Sequence, residues 1–311
     1  MLLKNLLPGV SVAGLVAASP YPTVAKTPVQ SATIVDRSAD PSPILTAPVG
    51  PSQNSPHGQI RGVWTPGETP SSRRARIRAI CGYVENGYIA VSSINDSDGA
   101  GQGRDSYEQY TGDGSVSAGW PSSNQWVSFE EMFTNNKALM FSSCSQFNQA
   151  ENSGSEVDAI YDAIESVATA TQVDHRFILA VIMQESGGCV RVPTTNWGVR
   201  NPGLLQDHNG AGSCNDNGQV QTPCPAIVVH QMVSEGTAGT ADGDGLAQCI
   251  NESGAGDVSA FYKAARIYNS GSVDPSGDLN KGISTYCYAS DIANRLTGWV
   301  MAPYGCYLDG A

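Results

Sequence analysis

A mainly α-helical domain is the fold class that the second half of this 311-residue sequence predicts. From about Ser155 onward, apolar residues recur at the i, i+3, i+4, i+7 spacing of one helical face. Capping residues punctuate those periodic runs. The eight cysteines, Cys81, Cys144, Cys189, Cys214, Cys224, Cys249, Cys287 and Cys306, are even in number, as expected of loops stapled by disulfides.

The chain divides into four stretches. Residues 1–18 read as a secretory signal peptide. Lys4 precedes an apolar run of Leu6, Leu7, Val10, Val12, Leu15 and Val16, and small Ala17 and Ala18 follow. That run, interrupted by Pro8 and Gly9, is too short to span a bilayer. Residues 19–80 are rich in Pro, Ser, Thr and Ala and read as a disordered linker or pro-segment. Arg73-Arg74-Ala75-Arg76 near its end reads equally as a processing site or a solvated charge run. Residues 81–150 form an expected accessory region: a short strand at Tyr88 to Ser92, a Gly- and Asp-rich loop, and a short helix opened by the capping box Ser128-Phe129-Glu130-Glu131.

Residues 151–311 carry the helical period. Val157, Ile160, Ile164, Val167 and Ala168 mark a first helix. After Thr171-Gln172-Val173, Asp174 caps a second, through Phe177 to Glu185, which Gly187-Gly188 ends. Pro225 at the first position opens a third through Val228, Val229 and Met232, ending at Gly236. Asp257 caps a fourth carrying Phe261, Ala264, Ala265 and Tyr268, and a last helix carries Tyr288, Ile292, Leu296 and Trp299. The polar stretch from Gly187 to Pro223 is long for a structureless loop, and such loops are commonly functional.

Composition excludes several partners. The net charge of -12 provides no basic footprint for nucleic acid or an anionic membrane surface. The cysteines show neither CxxC nor clustered Cys/His spacing, so four disulfides are expected rather than a metal site, with Cys214–Cys224 the one pairing suggested by proximity. Asp242-Gly243-Asp244-Gly245 lacks the spaced ligands of an EF-hand and reads as a turn. Sequons at Asn95 and Asn251 fit an extracellular route.

Glu185 is the residue with chemistry to offer. It shares the helical face of Ile178, Val181 and Ile182, so its carboxyl points where the apolar residues point, at the negative end of the helix dipole. Desolvation and the dipole both disfavour the carboxylate, and an acid that keeps its proton near neutrality suits general-acid catalysis.

Three short motifs follow in order: Glu185-Ser186, then Gly203-Leu204-Leu205-Gln206, then Tyr268-Asn269. Over roughly Ser155 to Val300 this resembles the lysozyme-like transglycosylase family, the soluble lytic transglycosylases and goose-type lysozymes, whose signature is Glu-Ser, Gly-Leu-Met-Gln and Ala-Tyr-Asn. Here Leu205 replaces Met and Ile267 replaces Ala, and the cysteine-rich version is similar to secreted fungal members. The resemblance implies a lysozyme-like α domain over residues 151–311, secreted and monomeric, cleaving β-1,4 links of N-acetylhexosamine polymers, peptidoglycan or chitin, with no metal or organic cofactor.

It also implies roles. Glu185 becomes the catalytic acid; Ser186 bonds the sugar or orients Glu185; Gln206 lines the cleft; Tyr268 faces the reacting sugar and supports Glu185; Asn269 bonds that sugar. Trp197 reads as a stacking platform or a loop anchor. Goose-type lysozymes carry an acid in a Trp-Gly-Asp-Arg run, where this chain has Trp197-Gly198-Val199-Arg200. Asp207 then becomes either a turn residue or the holder of a water, the latter making the chain an inverting muramidase or chitinase. A lytic transglycosylase needs no second acid, because the substrate supplies the nucleophile. A glycan-binding protein without turnover is the reading from another class.

Overall fold

Phe177-Ile178-Leu179-Ala180-Val181-Ile182-Met183 contains no polar side chain, so a helix built from it has no face to give to water and belongs at the centre of a core. It is found there: all seven residues are buried. The computed structural model describes Val91 and residues 98–99, 101–196 and 198–308. The expected leader, the Pro/Ser-rich segment, Cys81, the Asn95 sequon, Trp197 and the Tyr88–Ser92 strand apart from Val91 lie outside the described residues.

Among the described residues the fold is mainly helical. Its elements are α1 (Phe129–Met140), α2 (Gly154–Thr171), α3 (His175–Glu185), α4 (Ala226–Ala238), α5 (Leu246–Glu252), α6 (Ser259–Ser270) and α7 (Tyr288–Leu296). Two antiparallel hairpins stand between α3 and α4: β1 (Thr195–Asn196) with β2 (Arg200–Asn201), and β3 (Asn215–Asp216) with β4 (Gln219–Val220).

The caps follow local chemistry. Ser128 accepts from Glu131 N at 3.3 Å at the start of α1. At the start of α2, Ser153 and Glu156 bond reciprocally, Ser153 N donating to Glu156 Oε2 at 2.7 Å. Asp174 caps α3 through Arg176 N at 2.9 Å and also holds the Arg176 guanidinium, which lies over the Trp126 ring at 4.9 Å. Trp126 Nε1 in turn donates to Tyr262 Oη in α6 at 2.9 Å. The described part of the 81–150 region thus shares one core with the later helices.

Several boundaries differ from expectation for identifiable reasons. The third predicted helix, α4, runs past Gly236 to Ala238, with Pro225 as its N-cap. Gly236 is internal because Leu205 Cβ stands 2.4 Å from where a Gly236 Cβ would be, a close approach only glycine permits. Val258 rather than Asp257 occupies the cap position of α6, and Asp257 accepts from Ser259 N at 3.0 Å. Helix α7 ends at Leu296, before Trp299. Helix α5 and both hairpins occupy segments for which no element was expected.

Among the described residues three disulfides are present, Cys144–Cys189, the expected Cys214–Cys224, and Cys287–Cys306. They fit an oxidising compartment. Cys249 carries a free, buried thiol, so it has no part in the expected fourth bridge. Among the described residues no helix is long and apolar enough to cross a membrane.

One buried ion pair fastens the stretch between α3 and α4 to the helices. Arg191 Nη1 meets Glu156 Oε1 at 2.5 Å, with the Arg191 side chain fully buried. Arg191 also donates to Ala150 O at 2.9 Å and Glu151 O at 2.7 Å, while Cys224 N donates to Glu156 Oε1 at 2.7 Å. Burial works to raise the Glu156 carboxyl, but Arg191 and the backbone donors outweigh it and hold the group down to about 2. Removing one partner leaves an uncompensated buried charge, so Arg191→Ala is expected to cost about 3–5 kcal/mol in a denaturant titration. A loss below about 1 kcal/mol would contradict this account.

Candidate active site

The central helix is buried from Arg176 to Met183 and surfaces again at its last turn, where Gln184 and Glu185 are half-buried. The chain then turns sharply through Gly187 and Gly188, at φ 60° and 77°. A Cβ on Gly188 would stand 2.8 Å from Met140 Cγ, so the turn needs glycine there for space as well as for backbone angle. Ser186 Oγ donates to Ile182 O at 2.9 Å and accepts from Gly188 N at 3.2 Å. Its hydroxyl closes the helix end and fixes the direction in which Glu185 leaves it.

Burial pushes the Glu185 carboxyl up to about 7, opposed by one hydrogen bond from the Tyr288 hydroxyl to Oε1. Tyr288 begins α7, a segment expected only to supply core residues, and no motif singled it out. The α3–α7 junction is fixed beside it. Gln184 Nε2 donates to Asp291 Oδ2 at 3.0 Å, and Arg295 Nε donates to Gln184 Oε1 at 2.9 Å. Tyr107 Oη also donates to Asp291, at 2.6 Å.

The Gly203–Gln206 motif forms a tight turn seated on α4. Gly203 has φ 72°, and a Cβ there would stand 2.7 Å from Met232 Cγ and 2.8 Å from Gly212 O. Leu204 and Leu205 are fully buried. Gln206 adopts φ 48°, a left-handed conformation unusual for a non-glycine residue, and its amide is engaged on both sides. Nε2 donates to Gly203 O at 3.0 Å and Pro193 O at 3.4 Å, while Oε1 accepts from Thr195 Oγ1 at 2.9 Å. Gln206 therefore clamps its own loop to the β1–β2 hairpin.

Tyr268 joins two of the motifs directly. Its hydroxyl donates to Leu205 O at 2.8 Å, and its environment includes the charges of both Asp207 and Glu185. Asn269 is half-buried; its Oδ1 accepts from the Arg266 guanidinium and from Ser270 Oγ at 3.4 Å. The three motifs, separate in sequence, thus converge around Tyr268.

Asp207 faces inward. It is 2 % exposed, Oδ1 accepts from Gly210 N at 2.9 Å, and Oδ2 has no partner. Glu235 of α4, also 2 % exposed, comes at it across Gly210. Asp207 Oδ1 and Glu235 Oε2 lie 2.1 and 2.6 Å from the point where a Gly210 Cβ would stand. Burial, then the Glu235 charge, raise the Asp207 carboxyl well above its ordinary value, against smaller opposing effects of Gly210 N–H and Arg200. A buried carboxyl of this kind, bonded to its own loop, is poorly placed to activate solvent water.

Among the described residues no group of three or more His, Cys, Asp or Glu side chains converges as a metal site would require. Comparison with known protein families, curated proteins and solved structures returns no match.

Two outcomes follow from this geometry. Tyr288→Phe removes the bond that favours the Glu185 carboxylate, so the carboxyl should titrate above about 7 in carbon-13 NMR; an unchanged value would show that the hydroxyl does not act on it. For Asp207, the native state keeps its proton to higher pH than the unfolded chain, whose value is about 4. Its contribution to stability is therefore present below about 4 and lost as pH rises through the native value. Asp207→Asn should abolish that slope, so the stability of the variant relative to wild type should rise as pH increases above about 4 in denaturant titrations.

Proposed function

We propose that the protein is a secreted glycosidase, a lytic transglycosylase in outcome, acting on β-1,4 links of an N-acetylhexosamine polymer such as peptidoglycan or chitin. The observation that carries the reading is Glu185 itself: a half-buried carboxylic acid at the end of the central helix, poised at about 7, hydrogen-bonded to Tyr288. Its position beside Tyr268 and the Gly203–Gln206 turn supports the same reading.

In this mechanism protonated Glu185 gives its proton to the glycosidic oxygen as the C1–O bond breaks, and the leaving sugar departs with a free hydroxyl. The positive charge left on C1 and the ring oxygen faces the carboxylate just formed. The substrate's own 6-hydroxyl oxygen then bonds to C1, its proton returning to Glu185, and a 1,6-anhydro ring closes with no net uptake of water. Hydrolases flank the bond with a second carboxyl group. Asp207, turned inward against Glu235, favours the route that needs none.

The test is mass spectrometry of products from peptidoglycan and from chitin oligosaccharides, with wild type and Glu185→Gln. Products one water lighter than hydrolysed species are expected from wild type, falling at least 10²-fold in the variant. Reducing-end products would replace transglycosylation by hydrolysis. Retained binding with no product from either protein would make this a glycan-binding cleft. The wild-type rate should fall as pH rises through about 7, where Glu185 loses its proton.

A further inference from the structure

Residues 104–110, far ahead of the helix that carries Glu185, are bonded along the length of α7. Tyr110 N donates to Ser290 Oγ at 3.0 Å, Glu108 N to Asn294 Oδ1 at 2.8 Å, and Arg104 N to Thr297 O at 2.9 Å. Asn294 Nδ2 returns a bond to Glu108 O at 2.7 Å. The segment is thus a strap that runs antiparallel to α7, with a bond near each turn of the helix. Asp105 Oδ1 accepts from Val300, Met301 and Ala302 N at 2.8, 2.9 and 2.9 Å, which seats the strap on the turn after α7. Gly298 lets the two backbones meet there, since a Cβ on it would stand 2.6 Å from Arg104 N.

Tyr107 lies between these anchors, and its hydroxyl donates to Asp291 Oδ1 at 2.6 Å. The other oxygen of Asp291, a residue 1 % exposed, accepts from Gln184 Nε2 at 3.0 Å, and Gln184 Oε1 accepts from Arg295 Nε at 2.9 Å. The Arg295 guanidinium lies 4.6 Å from the centre of the Trp299 ring, which is 5.0 Å from the centre of the Tyr107 ring. Tyr107, Asp291, Gln184, Arg295 and Trp299 therefore close a circuit. Tyr288, Asp291 and Arg295 share one face of α7 at the i, i+3, i+7 spacing, and that face meets Gln184 and Glu185 at the end of α3.

Burying polar groups between two helices is costly, and apolar side chains would join them more simply. What the polar circuit adds is direction. Each bond fixes a distance and an angle, so α7 takes one position against α3 instead of a range. That position sets the bond between Tyr288 Oη and Glu185 Oε1, because Tyr288 belongs to α7 and Glu185 to α3. We propose that Tyr107 and Gln184 are positioning residues for Glu185, the strap holding α7 so that the Tyr288 hydroxyl stays on the carboxyl. Residues 104–110 are then a working part of the active site, not an accessory to it. The proposal rests on the glycosidase reading only for its effect on rate.

The experiment is a carbon-13 NMR titration of the Glu185 carboxyl in the full chain, as wild type, Tyr107→Phe, Tyr288→Phe and the double variant, with product assays on the same proteins. Tyr107→Phe keeps the ring against Trp299 and Tyr304 and removes the hydroxyl alone. It should raise the Glu185 midpoint above the wild-type value of about 7, in the direction of Tyr288→Phe, and add nothing in the Tyr288→Phe background. The rate at saturating polymer should fall about fivefold, the size expected of one neutral hydrogen bond, while KM changes by less than about twofold. Tyr268 and Arg266 of α6 also act on the Tyr288–Glu185 pair, and both stay the same in every variant. Should Tyr107→Phe fail to fold, Gln184→Met, which breaks the circuit at α3, is expected to shift the midpoint in the same direction and decides alone. A carboxyl that titrates as in wild type, with only the melting temperature lowered, overturns the proposal. So does a shift that adds in full to that of Tyr288→Phe. A wild type that cleaves neither polymer overturns the glycosidase reading, and the titration still decides whether Tyr107 positions Glu185.

Discussion

The buried pair between Glu156 and Arg191 is the constraint on which the site depends. Two charges taken out of water are costly, and a pair of this kind is weak evidence for stability gained over an apolar alternative. Its geometric consequence is clearer. Glu156 belongs to the first turn of α2, Arg191 follows the end of α3, and Cys224 N, which bonds the same carboxylate, precedes α4. One side chain thus holds both ends of the polar segment between α3 and α4. That segment has four two-residue strands for secondary structure, far too little to define a shape without anchors. The ion pair, the Cys144–Cys189 and Cys214–Cys224 bridges, and the Gln206 clamp supply them.

With the segment fixed, the fold tolerates groups it would otherwise reject. Glu185 loses solvation at the end of an apolar helix, Asp207 and Glu235 face each other in the interior, and Gln206 sits in a left-handed backbone conformation. Each costs free energy, and all three fall on or beside the converging motifs. Such local conflicts gather where a structure has been shaped by something besides stability. The Asp207–Glu235 pair is the most telling, because nothing in the core requires it. Asp207 accepts from Gly210 N and Glu235 from Gly212 N, which holds the loop that follows Gln206 against α4.

Most of the helical framework was legible because its signals are local. Ser128 and Asp174 mark helix starts through bonds to residues two or three positions away, and the apolar period does the rest. Cys214 and Cys224 were close enough in sequence to pair on sight. What escaped depends on contacts that a pattern cannot display. Gly236 reads as a helix stop until Leu205, from a loop far earlier, is seen to lie on it. The seven-residue α5 is too short for a period to emerge, and two-residue strands have none. Tyr288 lies 103 residues from Glu185, and nothing in its surroundings announces the bond. Within the candidate site, the motifs named Glu185, Gln206 and Tyr268, but whether a polar side chain faces a cleft or its own backbone is a tertiary fact. Ser186 and Gln206 both turn out to be spent on the backbone or on a neighbouring loop.

This division of labour bears on the chemistry proposed. Side chains consumed by the scaffold cannot also follow a substrate through its reaction, so a site that spends Ser186 and Gln206 on its own shape reads substrate mainly with rigid edges. Glu185 is a carboxyl poised to exchange a proton near neutrality. A single acid of that kind returns to its starting state only if the proton it gives to the leaving oxygen is replaced from the incoming nucleophile. A hydroxyl held on the same sugar meets that demand without a second protein base, because binding the polymer already places it close to C1. Grip on the chain away from the broken bond then becomes part of catalysis, since the precision a second carboxylate would otherwise provide has to come from how the substrate is held.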